Sequence, residues 1–568
     1  MPSPGADPRA NADPRHARWA QAVALLAGAA IALNALGNGF PNDDQWIVAE
    51  ALDFRHPSQW GHALARPWWP YANALWRPVT TLQLAIETWL GGGRELPYHA
   101  MNCLWHGLAS LLVVRLALRW VPPAAAVVAG LWFAWLPIHV EPVATLVGRA
   151  DMGVTVFLLA AALAATRAGP FTRARGWELF AWSALAMGSK ESGIAAPAVV
   201  WAMARLRRGH AESLAMGAAS VVGLVPLLLG RFFVLGTFGG DDPHPTWVGM
   251  PWGPATALAL RFLAVGVSHV AWPRTPVFEH APPQALIDAP EPWLVAAGAA
   301  LVLAALVAFA VHWTRATPAG AAVLWWAATI LPVSNLVFRS GIVLADRTLY
   351  GPSVASALAL ALVLALVLAR LLARLPSRLP ARLPARTAVG RWRLLRPASN
   401  AGPRMARFAG TGVMVAVLGW AAARTWHDLP LWRSSRSFIE AILLRAPDSW
   451  PGYLFRGMAR AGSGDRAGAM ADYDRGIALF GREQRLLTER AKFALQDGDT
   501  TRAVPLLERA LAAHPRALRP RQVLLDVYAR RGESDRRCLV LRDGARIAPD
   551  PRRWATEWAA VQAQGGCR

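Results

Sequence analysis

The sequence predicts an all-α protein: a polytopic membrane domain of about eleven spans, followed by a solenoid of amphipathic helix pairs. Three observations predict it. Apolar runs approaching the roughly 20 residues needed to cross a bilayer recur up to residue 424. Over 568 residues the composition is 54% hydrophobic and only 17% charged, with 28 tryptophans. Beyond residue 424 these runs give way to a pattern that returns every 34 residues.

The net charge of +23 comes almost wholly from arginine, since Lys190 and Lys492 are the only lysines. Much of it falls in short loops between apolar runs, where basic residues report cytoplasmic topology. No nucleic-acid partner is expected, and the lipid bilayer is. Cys103, Cys538 and Cys567 are too few and too scattered for a disulfide framework or a zinc site.

The elements follow in order. Residues 1–18 form a Pro- and Arg-bearing tail, read as cytoplasmic and not as a cleavable signal. Residues 19–36 make the first span and open the membrane domain, 19–424. A long polar loop, 38–96, is rich in Trp and Pro; within it, 75–90 is apolar on one helical face and suits the membrane surface. Further spans are predicted near 98–118, 124–138, 150–166, 177–189, 191–204, 213–235, 293–313, 320–338, 349–369 and 408–424.

Charge fixes how these spans alternate. Loop 167–176 carries Arg167, Arg173 and Arg175, loop 205–210 carries Arg205, Arg207 and Arg208, and 370–407 carries ten arginines; none contains an acid. All three share the cytoplasm only if 177–204 is a hairpin and 255–272 lies at the outer surface without crossing. The N-terminus is then cytoplasmic and residues 425–568 lie outside. The basic strip 370–407 repeats Arg-Leu-Pro, a proline density that forbids a continuous helix. It reads as a topology anchor.

In 425–568, Gly464-Asp465, Gly498-Asp499 and Gly532-Glu533 recur at 34-residue spacing, and Pro447, Pro515 and Pro549 share that frame. Two helices per unit, a turn at Gly-Asp/Glu and a closing proline are the pattern of tetratricopeptide repeats. Such units stack into a short solenoid with a concave face that binds peptides or acts as a spacer.

The candidate chemistry gathers at one end of the predicted helices. Asp43 and Asp44 follow the first span in Asn38-Gly-Phe-Pro-Asn-Asp-Asp. On the same side fall Arg77-Pro78; Tyr98, His99, Asn102 and His106; His139 and Glu141 in Pro-Ile-His-Val-Glu-Pro; Arg149 and Asp151 in Gly-Arg-Ala-Asp; Lys190-Glu191-Ser192; and Asp346-Arg347. Each alone reads more readily as packing, an interfacial ion pair or a snorkelling lysine. Ionisable groups at membrane depth are costly, and five loops of them facing one compartment point to function.

In that order these residues resemble the membrane glycosyltransferases of the GT-C fold, and in particular the transmembrane and tetratricopeptide-repeat-containing O-mannosyltransferases. The resemblance covers about 30–360 and the repeats. It implies a sugar donor carried on polyprenyl monophosphate, Ser or Thr hydroxyls of an exported polypeptide as acceptor, and repeats that hold that polypeptide. It also implies Asp43 as the base with Asp44 positioning it, although the two roles can be exchanged. General-base catalysis needs an ionised carboxylate in hydrogen-bond reach of the hydroxyl. The departing lipid phosphate needs cationic neighbours, for which Arg347, Lys190 and, more weakly, Arg149 are candidates. Arg77, His99, Asn102, His106, His139, Glu141, Asp151, Glu191 and Asp346 are expected to support the site or the acceptor. Basic side chains can hold a single phosphate without a metal, so no metal ligands and no cofactor are assigned, although a divalent metal is compatible with the reading.

Arginine-rich composition suggests a bacterial inner membrane, with site and repeats on the periplasmic side. Transfer to a lipid or cell-wall glycan is the alternative activity, and a non-catalytic membrane scaffold the alternative class. A transporter would show internal symmetry among its spans, and none is visible.

Overall fold

The computed structural model describes residues 14–49, 54–69, 75–238, 243–372, 403–547 and 551–563. Most of the basic strip 370–407 and of the N-terminal tail lies outside the described residues. Among the described residues helices dominate, and the one sheet is a two-residue antiparallel ladder, Glu279–His280 on Leu344–Ala345.

Among the described residues, six helices are long and apolar enough to cross a membrane, or seven if the bent pair Pro123–Trp135 and Pro137–Ala144 counts as one. They include Trp252–Ala271, which the charge pattern places at the surface. Several other expected spans are shorter helices: Arg149–Ala165 and Arg173–Ser189 with 17 residues each, Pro318–Ile330 with 13 and Ala196–Ala204 with 9.

The first helix, Pro14–Ala32, buries Ala20, Ala24, Gly28 and Ile31. Small residues at that spacing bring it close against Glu95–Ala117, as helices in lipid prefer. Chain direction reverses between Arg173–Ser189 and Ala196–Ala204. Consequently Arg208 donates to the carbonyls of Arg167 (2.7 Å) and Gly169 (2.8 Å), and Arg205 to Trp313 O (2.9 Å). The arginine loops 167–176 and 205–210 therefore meet at one end of the bundle, and the Lys190 turn lies at the other.

Three contacts tie helix Trp252–Ala271 to that other end. Arg339 stacks on Trp252, Arg261 pairs with Glu291 (2.6 Å) at the start of Pro292–Thr314, and His269 meets Asp346 (3.1 Å).

Beyond Asp428 the chain forms helical hairpins: Trp450–Gly462 with Arg466–Leu479, Gln484–Gln496 with Thr500–Ala513, and Leu518–Arg531 with Ser534–Ile547. The 34-residue period has a backbone cause. Gly464, Gly498 and Gly532 end the first helix of each pair at φ of 85°, 76° and 68°, where a side chain would be strained. Asp465 and Asp499 then cap the second helix, accepting from Gly468 N (2.9 Å) and Arg502 N (3.0 Å).

The hairpins are fastened to the site end of the bundle by the loop after the first span. Asn34 and Asn38 donate to the carbonyls of Trp426 (2.6 Å) and Leu429 (3.1 Å), and Gly39 N donates to Arg433 O (3.1 Å). Arg482 donates to Val248 O at 2.5 Å, adding a second point of attachment.

Candidate active site

Where the loop, the bundle and the first hairpins meet there is a cavity of about 260 Å³. Its acidic wall starts at Asn42, whose φ of +50° turns the chain into the short helix Asp43–Ala49; asparagine tolerates that conformation better than most residues. Asp44 is buried. Its two oxygens accept from Leu146 N (2.9 Å) and Val147 N (3.1 Å), so it is held as a strut. Asp43 is half-buried and lines the cavity.

Glu141 reaches the same cavity from Pro-Ile-His-Val-Glu-Pro. The next motif lies against it because Gly148 sits where any Cβ would fall 2.3 Å from Pro142 Cα. Arg347 closes the far side, paired with Glu141. From the strand Glu279–His280 comes Glu279, and from the repeats come Trp450 and Arg485; Arg485 Nε donates to Glu483 at 2.8 Å.

The electrostatics follow from burial. Asp43 is pushed above the usual carboxylate range by desolvation, with Arg347 and Arg485 pulling it back down. Burial drives Asp44 up to about 8 against its two N–H donors, and Glu279 moves upward for the same reason. His244 is driven down to about 3 and is neutral. Arg347 is disfavoured by burial, yet Glu141 and Glu279 hold its charge firmly in place. The cavity thus sets four carboxyls, Asp43, Asp44, Glu141 and Glu279, beside the two guanidinium groups of Arg347 and Arg485.

Of the residues read from sequence, the structure brings Asp43, Asp44, Glu141 and Arg347 together around this space. The others brace it from behind. Arg149 is fully buried, and its guanidinium donates to Glu87, to Asn102 Oδ1 (2.7 Å) and to Tyr98 O (3.0 Å). It does not pair with Asp151, and it presents nothing to the cavity. Asn102 uses its amide on Val143 O and Thr145 O, both at 2.9 Å, which fixes the segment beneath Asp44. His99 meets Gly39 O (3.2 Å). His106 bridges Tyr350 (2.8 Å) and Ala134 O (2.9 Å), and His139 meets Ser353 (2.9 Å).

Lys190 is buried beside the cavity in an ion pair with Asp151 at 2.5 Å. Desolvation pulls its ammonium below the ordinary lysine range although Asp151 supports the charge. Glu191 is shared by Arg77 (3.0 Å) and Arg231 (3.2 Å). Asp346 turns away from its neighbour Arg347 and accepts from Val277 N at 2.7 Å.

Sequence reasoning missed Glu279, Arg485, His244 and the partner of Arg149, Glu87. None lies in a recognisable motif, and Arg485 occupies a repeat position where a solvent-facing arginine is ordinary. Three cysteines allow one bridge at most, and Cys538 is disulfide-bonded.

No family model matches this chain. Curated relatives do. It is 35% identical over 135 residues to protein O-mannosyl-transferase Tmtc2 of Drosophila melanogaster, covering 22% of this chain and 14% of that protein. Protein O-mannosyl-transferase TMTC2 of Homo sapiens is 31% identical over 196 residues, 32% of this chain and 23% of its own length. Human TMTC3, also a protein O-mannosyl-transferase by name, is 30% identical over 161 residues, 26% and 17% respectively. The matched stretch thus spans less than a quarter of each of these relatives. Within it, the chain is related to the TMTC protein O-mannosyl-transferases.

Proposed function

We propose that this chain is a membrane glycosyltransferase of GT-C type. It would move a mannose-like hexose from a polyprenyl-phosphate donor to Ser or Thr hydroxyls of exported proteins. The observation that carries the reading is the opposition of Asp43 to Arg347 and Arg485 across one cavity, in a chain whose relatives are named protein O-mannosyl-transferases.

In this reading the acceptor hydroxyl enters beside Asp43, which takes its proton as the oxygen bonds to the anomeric carbon. The bond from that carbon to the donor's phosphate oxygen breaks, and the electron pair leaves with the polyprenyl phosphate. Arg347 stabilises the charge that develops there, where low local dielectric makes each cation count. Asp44 sets the height of Asp43 through the Leu146–Val147 backbone. Burial raises Asp43 above the ordinary carboxylate range, which makes it a stronger base than a solvated aspartate. Trp450 and Arg485 place the repeats at the cavity mouth, so a polypeptide held by them arrives at the reacting atoms.

The site end and the repeats are assigned to the periplasmic side of a bacterial inner membrane. The arginine loops gathered at the opposite end support this orientation, as does a disulfide-bonded Cys538, which suits an oxidising compartment. The test is transfer of labelled hexose from purified polyprenyl-phosphate donor to exported protein by the full chain in detergent. Equal transfer by wild type and Asp43→Asn would overturn the enzymatic reading.

A further inference from the structure

Behind the cavity wall, three chemically matched side chains converge. His269 closes helix Trp252–Ala271, His280 ends the strand Glu279–His280, and Asp346 follows the paired strand Leu344–Ala345. Each contributes one ligand atom, and these atoms all lie within 4.8 Å of one another. Asp346 Oδ1 is 3.1 Å from His269 Nδ1 and 3.7 Å from His280 Nε2. We infer that His269, His280 and Asp346 form a binding site for a late first-row divalent cation, of which Zn²⁺ is the natural occupant.

Four features support it. Zinc held at about 2.0–2.2 Å by imidazole and carboxylate in a tetrahedral arrangement puts ligand atoms about 3.3–3.5 Å apart, between the two distances found. The three atoms are buried, yet none makes a hydrogen bond of good geometry. Buried polar atoms are rarely left so, and a cation would satisfy all three together. The outer support a metal ligand needs is also built: Asp346 Oδ2 accepts from Val277 N at 2.7 Å, fixing the carboxylate's orientation. Finally, two imidazoles with one carboxylate select borderline ions over Mg²⁺ or Ca²⁺, which prefer all-oxygen shells. Water would complete the fourth position; His280, whose side chain is 13% exposed, marks the way in.

The ligands do not line the cavity. Their neighbours in sequence, Glu279 and Arg347, do. A cation here would clamp the short ladder and the end of Trp252–Ala271 together, holding one wall of the cavity. This assignment stands whatever reaction the cavity performs. The competing account is a metal-free contact of His269 and His280 with Asp346.

The experiment uses the full chain, purified through a histidine-free tag, incubated with ZnCl₂, desalted and assayed by plasma mass spectrometry. The site requires one zinc ion per chain in wild type and none in His280→Gln or Asp346→Asn. Thermal unfolding should drop on adding a chelator to wild type and be unmoved in either variant. Because a variant may misfold, Co²⁺ titration of wild type supplies an independent reading: visible ligand-field bands must form and be displaced by Zn²⁺. His280→Gln should weaken Co²⁺ binding by more than the roughly 10- to 100-fold that loss of an outer partner costs. Zinc at background in wild type, or zinc retained by both variants, or no cobalt spectrum, would leave the metal-free contact as the correct account.

Discussion

The backbone N–H of Asn42 donates to Ser435 Oγ at 3.1 Å, across 393 positions of sequence. The residue that turns the chain toward Asp43 is thereby tied to the first turn of the helix Ser435–Arg445, which leads into the repeats. Ser435→Ala leaves that N–H unpaired in a partly buried place, at about 1 kcal/mol. Transfer should fall about five-fold, while insertion and repeat folding persist. Steady-state rates in detergent check this, with circular dichroism as the control for folding.

Asp43→Asn keeps size and hydrogen-bonding capacity but cannot accept a proton. Transfer should fall by roughly 10²- to 10⁴-fold. Wild-type kcat/KM should lose activity as pH falls through a value above the ordinary aspartate pKa of about 3.9, because burial raises Asp43. In the variant, the residual rate should lack that acid limb. A limb that survives the substitution assigns it to another group.

Arg347→Ala should slow transfer by about 10²- to 10³-fold. It also leaves the buried Glu141 without its cation, which destabilises by itself. The double variant Arg347→Ala, Glu141→Gln separates the two effects: stability should recover toward wild type and the rate should not. Recovery of rate in the double variant would make Arg347 a partner of Glu141 only.

Asp44 carries a pH signature in stability. Its folded pKa of about 8 lies above the ordinary value near 3.9. The folded state therefore keeps a proton that the unfolded chain gives up in that window. Its contribution is complete below about pH 4 and is lost as pH rises through 8. The melting temperature of wild type relative to Asp44→Asn should fall steadily across that range. A flat difference would show that its two N–H donors keep it ionised.

The sequence disclosed some of this and hid the rest for physical reasons. Spans, basic loops and the 34-residue period are local patterns set by bilayer thickness and turn geometry. Asp43 and Glu141 stood out because a carboxyl at membrane depth has few excuses. That criterion cannot tell a reactive group from a brace. Arg149, Asn102 and His106 carry the same signal, yet their donors and acceptors are consumed in holding helices together. Direction of a side chain is a tertiary fact. Glu279 and Arg485 reach the cavity through long-range packing that no spacing rule encodes, and His269 with His280 is a pair only because two distant segments cross at Asp346.

The cavity joins residues 41–44 with residues 432–485, and the intervening bundle stands between them. A nascent chain that has released only its first 400 residues owns an acid without an enclosure. The cavity wall is therefore complete only once the chain as far as Arg485 has been made and the first hairpins have docked. In the proposed reading, a chain that stops short of the repeats holds Asp43 without the wall that Trp450 and Arg485 supply.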